Sequence, residues 1–210
     1  MRDLILKMSI SVDGFVSDLD GRNTWMFGAD QEAKAWGVEY IWNASLHIMG
    51  SRSFLAMAPF WPTSTLPFAP PMNQIPKAVF SRQGPAILKT VTTTAAPDNA
   101  RAHAGAGESM ELQPGGESWA QAHVASGDLA EEIARLKAQD GKPIIAHGGV
   151  SFARSLVAQG LVDQLALIVA PVALGQGLPL FSGLAAPMPL KLVSSKAFPG
   201  GAVAQIYRAA

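Results

Sequence analysis

Three short stretches of this 210-residue chain end apolar runs in small and basic residues: Met49-Gly50-Ser51-Arg52-Ser53, Phe80-Ser81-Arg82 and Ala146-His147-Gly148-Gly149-Val150-Ser151. Junctions of this kind suit an anionic ligand. Glycine lets backbone approach a phosphate, and the first turn of a helix offers unsatisfied N–H groups and positive potential. Arg52 and Arg82 add charge-assisted contacts to a terminal phosphate. Taken singly, each stretch also reads as a plain tight turn. Three of them on one sheet point to a phosphate-bearing ligand bound beyond the C-terminal strand ends.

Other chemistry-bearing residues are less patterned. His47, His103, His123 and His147 lack the helical spacing of metal ligands, so hydrogen-bonding roles fit His47 and His147 better than a metal. Phe54, Phe60, Trp61 and Phe68 read either as core packing or as the wall of a pocket for a flat heterocycle. Gly175-Gln176-Gly177 begins like a dinucleotide fingerprint, but the third glycine is missing and Pro179 follows, which leaves a structural turn. Cysteine is absent, which excludes disulfides, iron–sulfur clusters and zinc–thiolate sites. Sixteen basic and 16 acidic side chains cancel, so no long-range attraction to nucleic acid or an anionic membrane is expected. No apolar run approaches the roughly 18–20 residues of a membrane span, and Asp3 and Lys7 interrupt any secretory signal. A cytoplasmic protein is the expectation.

The elements that position these residues follow from periodicity. Apolar residues make up 49% of the chain and charged ones 15%, enough for a sizeable core in one domain spanning residues 1–210. Strands are predicted over 4–10, 46–49, 78–80, 143–146, 164–172, 190–195 and 202–207. Asp30 caps a helix to about residue 43, Asp128 caps another that Gly141 ends, and Gly148-Gly149 opens a third to residue 159. Prolines make 59–76 a loop. Residues 83–125, punctuated by Pro, Gly and Ala, read as a loop or hairpin insertion with short strands near 87–92 and 118–124. Strands alternating with helices predict an α/β domain: a mixed, mostly parallel sheet with helices on both faces. The last two strands lack an intervening helix and add an antiparallel edge. The apolar character of 164–172 and 178–181 exceeds what an exposed edge tolerates, which suggests a homodimer contact.

Five stretches together resemble the dihydrofolate reductase superfamily, specifically proteins similar to the reductase domain of bacterial bifunctional riboflavin-biosynthesis enzymes. They are LILKMSISVDGF, IMGSRSF, KAVFSR, GDLAEEIARLKAQDGKPIIAHGG and GLVDQLALIVAPVALGQGLPLF, and they cover most of the chain outside about 83–117. The resemblance implies a dihydrofolate-reductase-like three-layer sandwich, a homodimer and an NADPH-dependent oxidoreductase. Carried over by position, Gly50, Ser51, Arg52 and Ser53 open the helix that meets the cofactor phosphates. Ser81 and Arg82 lie near the adenosine ribose and its 2′-phosphate, and Gly148, Gly149, Val150 and Ser151 offer N–H groups to the pyrophosphate. Gly50-Ser51-Arg52-Ser53 has one arginine fewer than the Gly-Arg-Arg-Thr of many members, which leaves Arg82 as the second cation.

The same resemblance makes Asp30, after Trp25-Met26-Phe27-Gly28-Ala29, the acidic residue that supplies the catalytic proton from beside Trp25 and Phe27. Desolvation there is expected to raise its pKa. The competing reading is a helix cap alone. Asp13 stands for a substrate contact or for a turn-forming Asp-Gly, and Trp25 and Phe54 for walls of the substrate pocket. The implied substrate is a small flat heterocycle, pterin- or pyrimidine-like. It extends to the 5-amino-6-(5-phosphoribosylamino)uracil reductase type, although Arg22 is the only cation in the loops 17–25 and 59–76 that would meet a substrate phosphate. A non-catalytic nucleotide- or heterocycle-binding protein is the alternative.

Overall fold

The computed structural model describes residues 1–27, 30–91 and 111–209. Eight strands form the main sheet: β1 (Leu4–Ser11), β3 (Leu46–Gly50), β4 (Lys77–Phe80), β5 (His123–Ala125), β6 (Ile144–Ala146), β7 (Gln164–Ala170), β9 (Leu190–Ala197) and β10 (Val203–Ala209). Their spatial order is β5-β4-β3-β6-β1-β7-β10-β9. All pairs from β5 to β7 are parallel, and β10 runs antiparallel to both β7 and β9. β2 (Phe15–Ser17) and β8 (Leu178–Pro179) pair separately as a small ribbon. Gly177 sits against the Ser17 carbonyl so closely that no side chain fits there.

Helices cover both faces, as central parallel strands require. Along β1, Leu4, Leu6, Met8 and Ile10 point into one core layer, which α5 (Leu129–Lys137) closes through Ile133 and Leu136 and α6 (Val150–Ala158) through Ala153, Leu156 and Val157. The opposite face carries Ile5, Met49, Val79 and Ile145. It is covered by α1 (Gln31–Trp42), α2 (Ser51–Met57), α3 (Ala69–Gln74) and α4 (Ala86–Val91), with Ile41, Phe54, Met72 and Ile87 inserted. Asp128 caps α5, its carboxylate accepting from the Ala130 and Glu131 N–H groups. Among the described residues no helix is long and apolar enough to cross a membrane.

Two expectations are corrected. The proline-rich stretch is not all loop: Pro70 and Pro71 open α3, where the first-turn N–H groups they lack have no intrahelical partner anyway. Nor is 83–125 a hairpin excursion. Its first part is the helix α4, residues 92–110 lie outside the described set, and β5 joins β4 as the parallel edge of the main sheet. The anchor is Trp119, 1% exposed, whose indole N–H donates to Asn73 Oδ1 at 2.9 Å. A third difference concerns β7, which lies between β1 and β10, so its apolar residues are buried inside the sheet. The exposed edge is β9, where Leu192 and Val193 are open to solvent.

Truncating Trp119 therefore removes core, whereas truncating Leu19, 61% exposed after β2, does not. Trp119→Ala is expected to lower the unfolding free energy by about 3–5 kcal/mol, and Leu19→Ala to stay within about 0.5 kcal/mol. Urea denaturation followed by far-UV circular dichroism checks the contrast.

Candidate active site

Because β4, β3 and β6 are parallel neighbours, their C-terminal ends lie side by side and bring the three small, basic junctions together. Gly50 caps α2 and Gly149 caps α6, in both cases without a side-chain hydrogen bond. The opening N–H groups of α6, at Val150 and Ser151, are thus not taken up by a capping side chain. The two turns interlock. Gly149 N–H donates to Ser53 Oγ at 2.6 Å, and a Cβ on Gly50 would lie 2.8 Å from Phe152 Cβ. Gly148 adopts φ +75°, a left-handed backbone that favours glycine, tight against Met8.

Ser51 is half-buried, while Ser81 is buried and accepts the Gln83 N–H. Arg52 and Arg82 are both exposed, and neither makes a hydrogen bond or ion pair among the described residues. Two free guanidinium groups, close-approach glycines and an uncapped helix start fit a dinucleotide bearing several phosphates. Of the expected donors, the Gly149 N–H is already engaged, by Ser53.

The acidic candidates are engaged in structure. Asp30 caps α1, accepting from Ala33 N–H at 2.9 Å and from Gly200 N–H at 2.6 Å. These bonds, that from Ala33 foremost, hold its carboxyl below the usual aspartate range. The expected upward shift is absent, because hydrogen bonds to the anion outweigh the loss of water. Asp13 accepts from Ser11 Oγ at 2.6 Å and from the Leu174 and Gly175 N–H groups. It too is held low, chiefly by Ser11, and pins the loop after β7. Phe54 is fully buried and tilted against Trp119, so it faces the core rather than a ligand. Trp25 is half-buried in the turn Thr24–Phe27, with its indole N–H buried and unpartnered. The adjoining Gly28 and Ala29 lie outside the described residues.

One cluster was not singled out from sequence. Strand alternation puts Lys77, His47, His147 and Lys7 on the face covered by α1 to α4, across four adjacent strand positions. His47 pairs directly with Lys77. The other two stand one pleat further on, following Ile145 and Ile5, which pair with each other. The His47 and His147 rings meet edge-on with centroids 4.4 Å apart. Both His47 nitrogens and His147 Nε2 are buried without partners, contrary to the hydrogen-bonding roles expected. The Ile41 carbonyl favours a proton on His47 only weakly and lies outside hydrogen-bond geometry.

Burial lowers every basic group here. It takes His47 to about 3, aided by Lys77, and holds His147 well below its ordinary value, aided by His47, Lys7 and Lys77. Lys7 falls to about 8 from burial alone. Lys77 falls to about 7 although its ammonium donates to the Asn73 and Ile75 carbonyls and Ser118 Oγ. Lys7 and His147 retain partial exposure, so this end of the row is not closed core. The available signal was a lysine and a histidine inside otherwise apolar strands.

Residues 2–204 match the family model described as the RibD C-terminal domain. An uncharacterized protein, YyaP, of Bacillus subtilis (strain 168) is 25% identical over 206 residues, which are 98% of this chain and 94% of that protein. The crystal structure of a putative riboflavin biosynthesis protein from Shewanella sp. PV-4 superposes with a TM-score of 0.68 at 19% identity, covering 100% of this chain and 99% of that one. Dihydrofolate reductase from Enterococcus faecalis, complexed with NADP(H), gives a TM-score of 0.56 at 11% identity over 99% of this chain and 96% of that one. The sheet order, the helix layers and the family match agree: the chain belongs to the RibD C-terminal domain family and has the dihydrofolate reductase fold.

Proposed function

We propose that the protein is an oxidoreductase of the riboflavin-pathway type that uses NADPH to reduce a small flat heterocycle. The observation that carries this reading is one sheet edge. There the uncapped start of α6, the glycine turns and the free Arg52 and Arg82 follow β3, β4 and β6, the last of which pairs with β1 and its Lys7. Arg52 and Arg82 would hold the 2′-phosphate side, and the Val150 and Ser151 N–H groups the pyrophosphate. The nicotinamide, when bound, supplies a hydride to a carbon–nitrogen or carbon–oxygen double bond. The heteroatom of that bond then needs a proton from this chain.

Lys7 is the group best suited to give it. Its ammonium is partly desolvated and titrates near 8, close to the working pH, while the Asp30 carboxyl is held as an anion. A phosphorylated substrate tail is not favoured. Arg22, the only cation in its loop, pairs with Asp20 at 3.2 Å on the open surface.

Three measurements test this. Fluorescence titration should show tighter binding of NADPH than NADH, and Arg82→Ala should reduce that preference roughly tenfold or more, the worth of one charge-assisted pair. Equal affinities in the unaltered protein would remove the 2′-phosphate assignment. NADPH consumption across pterins, pyrimidines and aldehydes separates an enzyme from a binder. On the substrate so found, Lys7→Met should lower turnover about 10²–10⁴-fold, and turnover should decline as pH rises through about 8. Asp30→Asn should preserve it; the reverse pattern would route the proton through Asp30. Finally, the exposed Leu192 and Val193 on β9 suit a homodimer contact. Light scattering at micromolar concentration should give a dimer, and Leu192→Glu a monomer.

A further inference from the structure

We infer that Lys7 and His147, backed by His47, form an anion-binding floor built for a carboxylate or comparable oxyanion on a flat ligand. That this ligand is the substrate rests on the reductase reading; the floor itself does not.

Three independent features converge on it. The first is placement: β3, β6 and β1 are hydrogen-bonded neighbours, and their alternation aims His47, His147 and Lys7 at one face. The second is unmet bonding. Three of the five buried, unpartnered side-chain nitrogens among the described residues belong to these two imidazoles, the other two being the indole nitrogens of Trp25 and Trp61. The third is unbalanced charge. The four ion pairs among the described residues employ Arg22, Arg135, Lys137 and Arg208, and none involves Lys7. The carboxylates of Asp13 and Asp30 are committed to other donors. A deep cation beside unpartnered ring nitrogens is completed by a negative oxygen that accepts from both.

The surroundings narrow the class. Ile5, Met49 and Ile145 flank the row on the same face and offer nothing to a strongly hydrated phosphate, which the exposed arginines suit better. A carboxylate or enolate oxygen on a planar ring matches two donors set among apolar side chains. The other titratable groups acting on His147 are Lys77 on β4 and, through Lys77, Glu117. Among these only Glu117 is acidic, and Lys77 lies between it and the histidines' strands.

The test uses the full chain labelled with ¹⁵N-histidine, with His147→Gln to assign the ring signals, and follows titrations with sodium acetate and its neutral isostere acetamide. Acetate should shift the His147 ring nitrogens and raise the His147 titration midpoint by about one pH unit, tenfold in proton affinity. Acetamide should do neither. Lys7→Met should abolish the acetate response; if that variant does not fold, Lys7→Arg, which keeps the charge, should retain it. Identical behaviour toward acetate and acetamide in the unaltered protein overturns the floor, as does an acetate response that survives Lys7→Met. A protein that consumes NADPH but ignores acetate loses the floor and keeps the reductase reading. One that binds acetate without consuming NADPH with any substrate keeps the floor and loses that reading.

Discussion

The hydrogen bond from Gly149 N–H to Ser53 Oγ, 2.6 Å long, joins the two turns on which the cleft is built. One turn follows β3 and the other follows β6, and the strands are adjacent because the chain, after adding β4 and β5 on one side of β3, crosses back to lay β6 parallel on the other. Gly50 lets Phe152 pack against the first turn, and Gly148 bends the second over Met8. Any side chain at Gly50 would force β3 and α6 apart and separate the opening N–H groups of α6 from Arg52. The glycines here serve packing between turns at least as much as approach to a ligand, and the two needs are met by the same residues.

One face of the sheet changes character along the strands. On the α5–α6 face, Leu4, Leu6, Met8 and Ile10 are apolar for the whole length of β1. On the opposite face the same strand runs Ile5, Lys7, Ser9, Ser11, from core to polar, and β6 changes from Ile145 to His147. Helices α1 to α4 therefore find an apolar seat only over the lower part of the sheet. Beyond it Lys7 and His147 keep partial exposure, whereas His47 and Lys77, one pleat lower, are buried beneath the helices.

Much of this was legible in the sequence. Near-continuous apolar runs mark buried parallel strands, and Asp30 and Asp128 mark their helices as caps do. The three glycine and arginine junctions also converge as parallel topology demands. What was not legible depends on tertiary partners. Trp119 sits among Pro, Gly and Ala and looks like surface, yet Asn73, 46 residues away, receives its N–H in the core. Asp30 looked like a desolvated acid because Gly200, 170 residues on, contributes a donor that no local pattern reveals. Lys7 and His147 are 140 positions apart, and only the β1–β6 register makes them neighbours.

The charges around the cleft all act on stability in one direction. Asp13 and Asp30 have folded values below their unfolded ones, so their contribution is present above the unfolded aspartate range and fades as pH falls through the folded values. His47 is lowered to about 3, so below its ordinary 6.5 the unfolded chain takes a proton that the folded chain refuses, and stability falls with acidity. Lys7 follows the same rule at higher pH. Between 10.5 and about 8 the unfolded chain alone is charged, and stability is lost as pH falls through that window. A floor of lowered bases is thus a standing strain on the fold, strongest where the bases are charged. A negative ligand reverses the sign for Lys7 and His147, because an opposite charge favours their protonated forms. Binding and proton uptake are then one event, and the groups that weaken the fold are those that hold the ligand.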